Sequence, residues 1–549
     1  MNPERPLDFG DIDRVPPTWN PQRPLRIALL GDYGGNALAG RLDTGAALAR
    51  RKPRRVEPDT LDRTMARICP SLTLPLGTDG SSVVLPINGL DSFLPDSVVR
   101  GLDIFSALAS LRRRLANNLS FVQAAEEIRE WTLAAPAAPW RPAPHGPARG
   151  SRLRRDFRLD DFARLGSRAP AARQAASESL IRQLVCPFVR PPHSQDQASL
   201  VAALDQALAS TLSAVLHQPD LQNAESLWRG VDFLLQRLNA DQDIQVYLLD
   251  VSAEEFAADI AAQADLSRSG LYKLLVDDPS DEPDGGYSHV AACYYFEATP
   301  PQAELLGRAA RICAYGGATF LGAIETDLLA DSGQAIHPLV RSAFDALRGL
   351  PEAAFLALLS PRFLLRLPHG RNSEPVTAFR YEEFTASDGL RGMLWGHPSL
   401  LALVLLTGPA DARTINRMPF HCYAAAAGES LALPCTERLL DDEAAGRLRG
   451  FGINAVLART GEPRVTLPSL EAVDGAPLRP ARGASRPPPV RRPARPQAER
   501  MTRSPTVADA EMTALLSIRS PDDWPSGTAG GSATPPMEAD LKALLASLG

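Results

Sequence analysis

Two proline-rich stretches set the limits on what this chain can fold into. The first, LAAPAAPWRPAPHGPARG, runs from Leu133 to Gly150. The second runs from Arg479 to Arg500 and contains seven arginines and six prolines against one acid, Glu499. Proline removes a backbone donor and fixes φ, so such segments can neither pair into a sheet nor continue a helix. We therefore predict that both are linkers between folded regions.

These linkers divide the 549 residues into two folded regions with shorter segments around them. A first region of about 110 residues has the usual size of one domain, and 44% apolar content is enough to supply real cores. In chain order the predicted segments are an N-terminal extension (1–24), a first folded region (25–132), a linker (133–153), a second folded region (154–470), an Arg/Pro-rich linker (471–507) and a tail (508–549).

The charge and the cysteine content narrow the class of protein. The chain carries 58 basic and 64 acidic side chains, a formal charge of -6, which argues against a nucleic-acid binder or a polybasic membrane-surface protein. Its six cysteines are scattered singly without a CxxC pair, as is usual in a reducing compartment. No run approaches the ~18 to 20 apolar residues of a membrane span, and the N-terminus lacks the apolar region of a signal peptide. We expect a cytoplasmic protein with protein partners and no membrane insertion.

The first folded region mixes helix and strand. RIALL (Arg26–Leu30) predicts a buried strand that ends in the tight turn GDYGG (Gly31–Gly35). LDRTMARICPSLTL predicts a helix, a break at Pro70 and a strand. A long amphipathic helix is predicted from about Pro95. Its apolar face comprises Val98, Leu102, Phe105, Leu108, Leu111 and Leu115.

The second folded region alternates helices and strands. It opens with a helical pattern interrupted at Pro219, after which Ile244–Ser252 has the β-branched and aromatic content of a strand. Further strands are predicted at His289–Ala298, Ala318–Glu325, Arg362–Pro368 and Pro419–Ala425, and helices at Glu304–Tyr315, Pro338–Arg348 and Asp441–Arg449. Such alternation implies sheets with packed helices, so we predict the α/β class (mixed α+β) for the chain.

The GDYGG turn also invites another interpretation, as the phosphate-binding turn of a nucleotide-binding enzyme. Glycines let backbone amides approach an anion, but no GK[ST] follows and the spacing is not GxGxxG. A sharp turn after a strand needs the same glycines for their φ freedom. We therefore prefer the turn, and the nucleotide-binding enzyme remains the less favoured alternative, which a titration with nucleotide would test.

His421, Cys422 and Cys435 are residue types that bind zinc, which prefers four ligands in a tetrahedral array. A fourth ligand and a paired spacing are both absent, and successive residues of a strand point to opposite faces. The sequence also has no GxSxG, HExxH or recognisable Cys/His pattern. We expect no catalytic residues, no metal and no cofactor, and hence a protein that is not an enzyme.

The second folded region resembles the large subunit of the type VI secretion contractile sheath (TssC, also called VipB). The resemblance lies in LSAVLHQPDLQNAESLWRGVDFLLQRL followed by IQVYLLDVSAEEFAADI: a helix, an H-x-P-D-x-Q break, a W-R-G helix and a strand. SGLYKLLVDD, CYYFEATPPQAELL, GATFLGAIE, SPRFLLRLPHGRNSEPVTAFRYEEF and LWGHPSLL follow in the order of that family. The resemblance covers the chain from Arg154 to Pro468.

The first folded region resembles the small sheath subunit (TssB, also called VipA) over residues 25–131. LRIALLGDYGG, RKPRRVEPDTLDRTMARICPSLTL and LDSFLPDSVVRGLDIFSALASLRRRLANN carry the resemblance, again in the order of the family. The chain as a whole therefore resembles a fusion of the two sheath subunits.

This resemblance implies a non-catalytic structural protomer that polymerises around an inner tube and contracts to drive effector injection. The implied partners are further copies of the chain, an Hcp-like inner-tube protein, baseplate proteins and a ClpV-type AAA+ ATPase. The chain departs from the family in its fusion through Leu133–Gly150, and in the Arg/Pro-rich segment and tail that replace the C-terminal sheath segment. This altered end leaves open a non-polymerising accessory protein, such as a cap or a baseplate adaptor.

The tail contains a repeated pattern, A-[DE]-[ML]-[TK]-A-L-L, at Ala510 and again at Ala539. In the second copy the apolar residues recur at i, i+3, i+4 and i+7, as on one face of a helix. The candidate docking residues are Met512, Leu515, Leu516, Leu541, Leu544, Leu545 and Leu548. Helices this short need a surface to pack on, so the pair either docks on a partner or caps the core of the chain itself.

Overall fold

The computed structural model of the chain describes residues 7–478, apart from 15, 17–23, 76–80, 134–147, 149, 154, 156, 168–172, 175–177, 190–195, 239–243, 283–284, 327–335, 372, 385–388, 421 and 425–429. The strands are β1 Leu25–Gly31, β2 Arg54–Val56, β3 Ser71–Pro75, β4 Ser81–Pro86, β5 Arg173–Gln174, β6 Ile244–Asp250, β7 His289–Glu297, β8 Thr319–Glu325, β9 Leu356–Ser360, β10 Phe363–Leu364, β11 Trp395–Gly396, β12 Thr414–Asn416, β13 Cys422–Ala424, β14 Ser430–Ala432, β15 Ile453–Ala455, β16 Leu457–Ala458 and β17 Arg464–Thr466.

The helices are α1 Gly45–Leu48, α2 Leu61–Ile68, α3 Pro95–Gly101, α4 Asp103–Ala116, α5 Phe121–Leu133, α6 Leu159–Ala163, α7 Glu178–Val185, α8 Gln197–Leu216, α9 Pro219–Leu235, α10 Ala253–Ala261, α11 Gly270–Tyr272, α12 Asp278–Ser280, α13 Pro300–Tyr315, α14 Pro338–Arg348, α15 Ser399–Leu406 and α16 Asp442–Gly450. A π-helical turn, Lys273–Asp277, joins α11 to α12. Short 3-10 turns are present at Pro58–Thr60, Leu90–Phe93, Cys186–Phe188, Leu266–Arg268, Pro351–Phe355 and Gly389–Gly392.

A seven-stranded sheet forms the centre of the molecule, in the order β15-β9-β8-β7-β1-β6-β2. Its strands are parallel except β2, which is antiparallel to β6. β1 pairs with β6 from Leu25 opposite Ile244 to Gly31 opposite Asp250, and with β7 along Ile27–Leu30. A strand from before the first linker therefore lies between two strands from after it, and the two folded regions share one sheet.

The sheet separates two hydrophobic cores. Side chains of β1 alternate between them, because successive residues of a strand point to opposite faces. Leu25, Ile27 and Leu29 belong to the first core, and Ala28 and Leu30 to the second. Helices α2–α5, α7–α9 and α15 cover the first core, and α10, α13, α14 and α16 cover the second. This arrangement of helices on both faces of a mostly parallel sheet confirms the predicted α/β class.

Local sequence explains the ends of the helices around the sheet. Asp196 accepts a hydrogen bond from Ser199 N–H at the start of α8. In the H-x-P-D-x-Q break, His217 ends α8, the side chain of Gln218 caps α9, and Pro219 occupies its first position, where its missing N–H costs nothing. The break seen in the sequence is thus a tight junction between two capped core helices.

Helix α8 is long and apolar enough to cross a membrane by length and composition, the one such helix among the described residues. Half of the tested window is buried within the molecule. Its apolar side chains, including Leu204, Leu208 and Leu212, lie in the first core, so α8 is a core helix of the folded chain.

Most of the predicted elements are present at the predicted places. The strand at Arg26–Leu30, the break at Pro70 and all six apolar positions of the long helix are confirmed, the latter all buried. That helix is two helices, α3 and α4, which meet at Leu102. The strand predicted at Arg362–Pro368 was too long, since only Phe363–Leu364 pairs as β10.

Candidate functional site

The GDYGG turn lies at the carboxyl end of β1 and is held by carboxylates of the chain itself. Asp32 accepts hydrogen bonds from the backbone N–H groups of Asn36 (2.5 Å) and Ala37 (3.1 Å). Asp250, at the end of β6, accepts one from the N–H of Gly34 (2.8 Å). The amides that would bind a phosphate are therefore already bonded to carboxyl groups of the chain itself, which leaves them unavailable to a ligand.

The surroundings of the turn are acidic and buried. Burial raises the pKa of Asp32 well above its ordinary value, and the charge of Asp250 raises it further. Burial likewise raises the pKa of Glu254. Next to Glu254, Glu255 accepts a hydrogen bond from the Arg51 guanidinium (2.8 Å). The positive charge of Arg51 offsets part of the negative charge of the carboxylates in this region. The local field at this end of the sheet disfavours an anionic ligand.

The end of the first linker fills the crevice at the carboxyl ends of β1, β6 and β7. Gly150 O accepts a hydrogen bond from Ala253 N–H (2.8 Å), and Ser151 O accepts one from Tyr295 N–H (2.9 Å). Gly150 has a φ of +79°, and a Cβ at this position would lie 2.2 Å from Asp32 Oδ2. Open α/β sheets usually bind ligands in this crevice. Here the chain's own backbone occupies it.

Tyr33 and Trp228 join the two folded regions beside this turn. Their rings meet edge to face with centroids 5.1 Å apart, and both side chains are fully buried. Two residues further along α9, a Cβ on Gly230 would lie 2.7 Å from Leu400 Cδ1, so the W-R-G glycine lets α9 approach α15 closely. The two most distinctive motifs of the sequence, GDYGG and W-R-G, thus pack against each other.

A small void lies next to this aromatic pair, lined by Tyr33, Cys293, Tyr295, His397 and others. It has room for about one water molecule. A void of this size fits a solvent molecule between packed side chains and not an organic substrate or a nucleotide.

A buried ionic network centred on Arg366 lies next to the α8–α9 junction. Arg366 donates to Glu225 (2.7 Å) from Nε and to Glu383 (2.7 Å) from Nη1, and these carboxylates are 1% and 0% exposed. Arg229, the arginine of W-R-G, donates to the same Glu225 (2.7 Å). His217 Nε2 lies 3.6 Å from Glu383. The family-like motif residues His217 and Arg229 therefore have a shared structural role in this network.

Burial and charge act in opposite directions inside the network. Burial alone would raise the pKa of Glu383, but the Arg366 guanidinium outweighs it and holds that pKa well below its usual range. His369, also buried, has its pKa lowered to about 4, first by burial and then by Arg366. The network is thus a group of buried ion pairs with a neutral imidazole beside it. Such a network can hold the chain in one conformation.

The predicted site residues are only partly within the described structure. The tail residues Met512, Leu515, Leu516, Leu541, Leu544, Leu545 and Leu548 lie outside the described residues, as does His421. Cys422 is exposed, whereas Cys435 is buried with its sulfur donating to the carbonyls of Pro419 and Glu462 (both 3.3 Å). Within the described ranges, no group of three or more His, Cys, Asp or Glu side chains is arranged to hold a metal.

Sequence reasoning missed the ionic network around Arg366. One signal was available: Arg366 interrupts the apolar run RFLLRLP, and a lone arginine within such a run indicates a buried guanidinium that must find carboxylates. Its partners could not be found in this way, because Glu225 lies 141 residues away and Glu383 lies 17 residues away, beyond a short loop-rich stretch without a periodic pattern.

Two family models match the chain. The VipB (EvpB) tail sheath N-terminal domain matches residues 198–474, half of the chain. The VipA model of the type VI secretion system matches residues 20–133. The chain is also similar to the type VI secretion system sheath protein TssC1 of Pseudomonas aeruginosa, with 28% identity over 201 residues that cover 34% of this chain and 40% of that protein. The chain therefore spans 40% of the length of this curated relative.

Proposed function

Because the chain belongs to the VipB tail sheath family of type VI secretion systems and joins a VipA-type segment to it in one polypeptide, we propose that it is a structural protomer of a contractile sheath. In this proposal the protomers polymerise in the cytoplasm around an inner tube and contract to drive effector injection.

The observation that carries the proposal is the position of β1. This strand of the VipA-type segment lies between β6 and β7 of the VipB-type segment, so one chain builds the sheet to which both segments contribute. The Tyr33–Trp228 contact joins the same two segments in the first core, on one face of this sheet. A single polypeptide therefore supplies a preassembled unit, and association of separate small and large subunits is not required.

The proposed protomer works without catalysis. Contraction needs two arrangements of the same units whose interfaces differ in free energy, so that a trigger at one end shifts the whole array. The buried ionic network and the shared sheet support this role, since both join separate parts of the chain into one folded unit that could act as a protomer. The GDYGG turn has a structural part in this scheme, because its amides bond to Asp32 and Asp250.

The proposed partners follow from the sheath function. They are further copies of the chain, an Hcp-like inner-tube protein, baseplate proteins and a ClpV-type AAA+ ATPase that would disassemble the contracted sheath. We also propose that the repeated tail motif docks on one of these partners or on a neighbouring protomer. Met512, Leu515 and Leu516 would anchor the first copy, and Leu541, Leu544, Leu545 and Leu548 the second.

Negative-stain electron microscopy tests the proposal directly. The purified chain is imaged alone and after co-expression with the inner-tube protein of the same secretion system, with an unrelated soluble protein co-expressed as the control. We expect tubes or stacked rings, more numerous with the inner-tube protein. A strictly monomeric species under all of these conditions contradicts the sheath protomer and supports the non-polymerising accessory instead.

A further inference from the structure

A basic surface borders the edge of the central sheet that is formed by β2. Five of the six residues from Arg50 to Arg55 are basic. The four exposed ones form the β2 patch: Arg50, Lys52, Arg54 and Arg55. β2 is the last strand in the order of the sheet, and Arg54 and Arg55 lie opposite Leu248 and Tyr247 of β6. The patch is therefore a compact cationic surface at one end of the sheet.

The fifth basic residue of this run, Arg51, is used inside the fold. It donates to Glu255 (2.8 Å) and to Asp43 (2.8 Å), and its side chain is mostly buried. Arg55, by contrast, pairs with Glu57 at 3.0 Å, and both of these side chains are more than half exposed. A surface ion pair of this kind contributes little to stability, so it can exchange for another carboxylate. The patch therefore presents its cationic groups to solvent.

The residues around the patch add to its positive charge. Seven basic residues stand against three acids between Arg50 and Arg67, although the chain as a whole has a formal charge of -6. Arg63 and Arg67 are exposed on α2, which packs beside β2. One of the three acids, Asp62, accepts a hydrogen bond from the N–H of Leu90 (3.0 Å). A local positive field of this kind attracts an acidic segment.

The chain contains an acidic segment that fits this patch. In its tail, residues 508–549, six acids stand against two bases, and Asp522–Asp523 is the one pair of adjacent acids in the sequence beyond residue 478. The pair lies in SPDDWPSG, where prolines on both sides favour an extended backbone. Successive residues of an extended segment point to opposite sides, as Arg54 and Arg55 of β2 do. The two acids can therefore face the two arginines at once.

The tail can reach the patch from the place where the described chain ends. Val473 N–H donates to Leu356 O (2.8 Å) at the start of β9, so the described chain ends near that strand, at Leu478. β9 and β2 are five strand spacings apart, or about 24 Å. With the linker composition of the sequence, the 44 residues from Leu478 to Asp522 span roughly 33–40 Å. The geometry thus allows a chain to fill its own patch.

Two other occupants of the patch are less favoured. The Arg/Pro-rich stretch Arg479–Arg500 carries seven arginines against one acid, so the patch repels it. The tail of a second chain carries the same acids as the chain's own tail. A tethered segment, however, acts at an effective concentration of about a millimolar, which separate chains in dilute solution do not reach. The tail of the same chain is therefore the favoured occupant.

We propose that the β2 patch is a docking site for the acidic segment Ser520–Gly527 in the tail of the same chain. Asp522 and Asp523 pair with the arginines of the patch, and the ring of Trp524 packs against one of its cations. The segment lies between the two copies of the repeated tail motif, so its docking holds both copies at the β2 edge. The contact goes beyond the sheath function, because it forms within one chain and needs no assembly.

Carbodiimide cross-linking of the full chain tests this contact, because the reagent joins an amine only to a carboxylate that touches it. The chain has three lysines: Lys52, Lys273 and Lys542. The first of them lies in the patch. We expect mass spectrometry of the digested chain to find Lys52 joined to Asp522 or Asp523 at low salt. Lys273, one π-helical turn before Asp278, supplies the reference cross-link to which the yield is normalised.

Two changes should lower the yield of the Lys52 cross-link. Raising NaCl from about 20 mM to about 500 mM shortens the Debye length from roughly 20 Å to roughly 4 Å, which weakens attraction between exposed charges. Arg54→Gln with Arg55→Gln should lower the yield roughly 2- to 30-fold, the range expected for two exposed ion pairs. Arg341→Gln with Arg459→Gln removes two exposed arginines elsewhere and is the matched control, which should change the yield little.

Mixing normal and isotopically heavy chains before cross-linking identifies the occupant. Docking within the chain predicts Lys52 cross-links that contain one isotope only, and mixed cross-links would overturn it in favour of the tail of a second copy. The proposal also fails if Lys52 joins no tail residue while the Lys273 reference forms, or if loss of Arg54 and Arg55 leaves the yield unchanged. An absence of tubes in microscopy, by contrast, counts against the sheath function and leaves this contact unaffected.

Discussion

Tyr33 and Trp228 meet edge to face, with ring centroids 5.1 Å apart and an angle of 62° between their planes. They come from opposite sides of the first proline-rich linker: Tyr33 is the middle residue of GDYGG, and Trp228 is the first residue of W-R-G. The loss of stability when this contact is broken would therefore report how firmly the VipA-type and VipB-type segments are joined.

Truncating either ring should destabilise the chain strongly. We expect Tyr33→Ala and Trp228→Ala each to lower the free energy of unfolding by roughly 3–5 kcal/mol, and the double variant to lose less than the sum, because the rings contact each other. Urea unfolding followed by circular dichroism would measure this. Leu119→Ala, at a side chain that is 97% exposed, is the control and should change little. Strict additivity would contradict the coupling.

Cutting the first linker should not separate the two segments. A protease site introduced between residues 138 and 143 allows the folded chain to be cleaved, and we expect both pieces to co-elute in size-exclusion chromatography. The reason is that β1 is hydrogen-bonded to β6 on one side and β7 on the other. Leu29→Asp, which places a charge on a fully buried β1 side chain, should release the pieces. Separation of the wild-type pieces would show that the shared sheet does not hold them.

Acid should destabilise the fold in a defined window. Burial lowers the pKa of both His369 and His397 to about 4, below the unfolded value of 6.5. Between these values the unfolded chain binds more protons, so stability is lost as the pH falls from about 6.5 to about 4, by roughly 2 kcal/mol per histidine at pH 5. Thermal unfolding at pH 7.5 and pH 5 would measure the difference. His397→Gln should remove about half of this two-histidine contribution. If the variant loses as much stability as wild type between pH 7.5 and pH 5, His397 does not contribute to the pH dependence.

Removing Arg366 should leave two buried carboxylates without their main partner. We expect Arg366→Met to cost about 3–5 kcal/mol. Without the guanidinium, burial dominates and the pKa values of Glu225 and Glu383 rise, so the variant should gain stability relative to wild type as the pH is lowered from 7 to 5. Adding Glu225→Gln and Glu383→Gln should recover much of the loss. An Arg366→Met chain as stable as wild type would show that the network contributes nothing.

The tail prediction separates docking from core packing. We expect Leu544→Asp with Leu545→Asp to weaken assembly or partner binding and to leave thermal unfolding of the folded regions unchanged. Deleting one copy of the motif should reduce binding by up to about a hundred-fold, because the second contact is tethered. Ala543→Asp, on the opposite side of the predicted helix, is the matched control. An unfolding temperature lowered by several degrees would instead place the helix in the chain's own core.

The sequence predicted the elements better than their arrangement. The continuous apolar run of β1 and the capped break at Pro219 were readable because each depends on neighbouring residues. The place of β1 between β6 and β7 was not, since pairing between parallel strands is decided by contacts far apart in the chain. β9, Leu356–Ser360, was missed for a related reason: four apolar residues followed by a serine do not distinguish a buried strand from a helix.

The same reasoning applies to the site around the GDYGG turn. GDYGG predicted a turn, and the turn is present, but nothing in its letters indicated that Gly150 would press against Asp32 or that Asp250 would bond to Gly34. The packing of Phe9 against Gly307 was equally hidden, because the two residues give no periodic pattern that would connect them. Long-range contacts of this kind are what the structure adds.

The central position of β1 also has a consequence for biosynthesis. The ribosome makes this strand first, yet both of its neighbours in the sheet are translated much later, with β7 ending at Glu297. At about 5–20 residues per second, a nascent strand of apolar residues waits for roughly 13 to 55 seconds before its second edge can be paired. During that interval the unpaired strand is open to aggregation. We therefore expect newly made chains to depend on a holding chaperone at the ribosome until β7 has emerged.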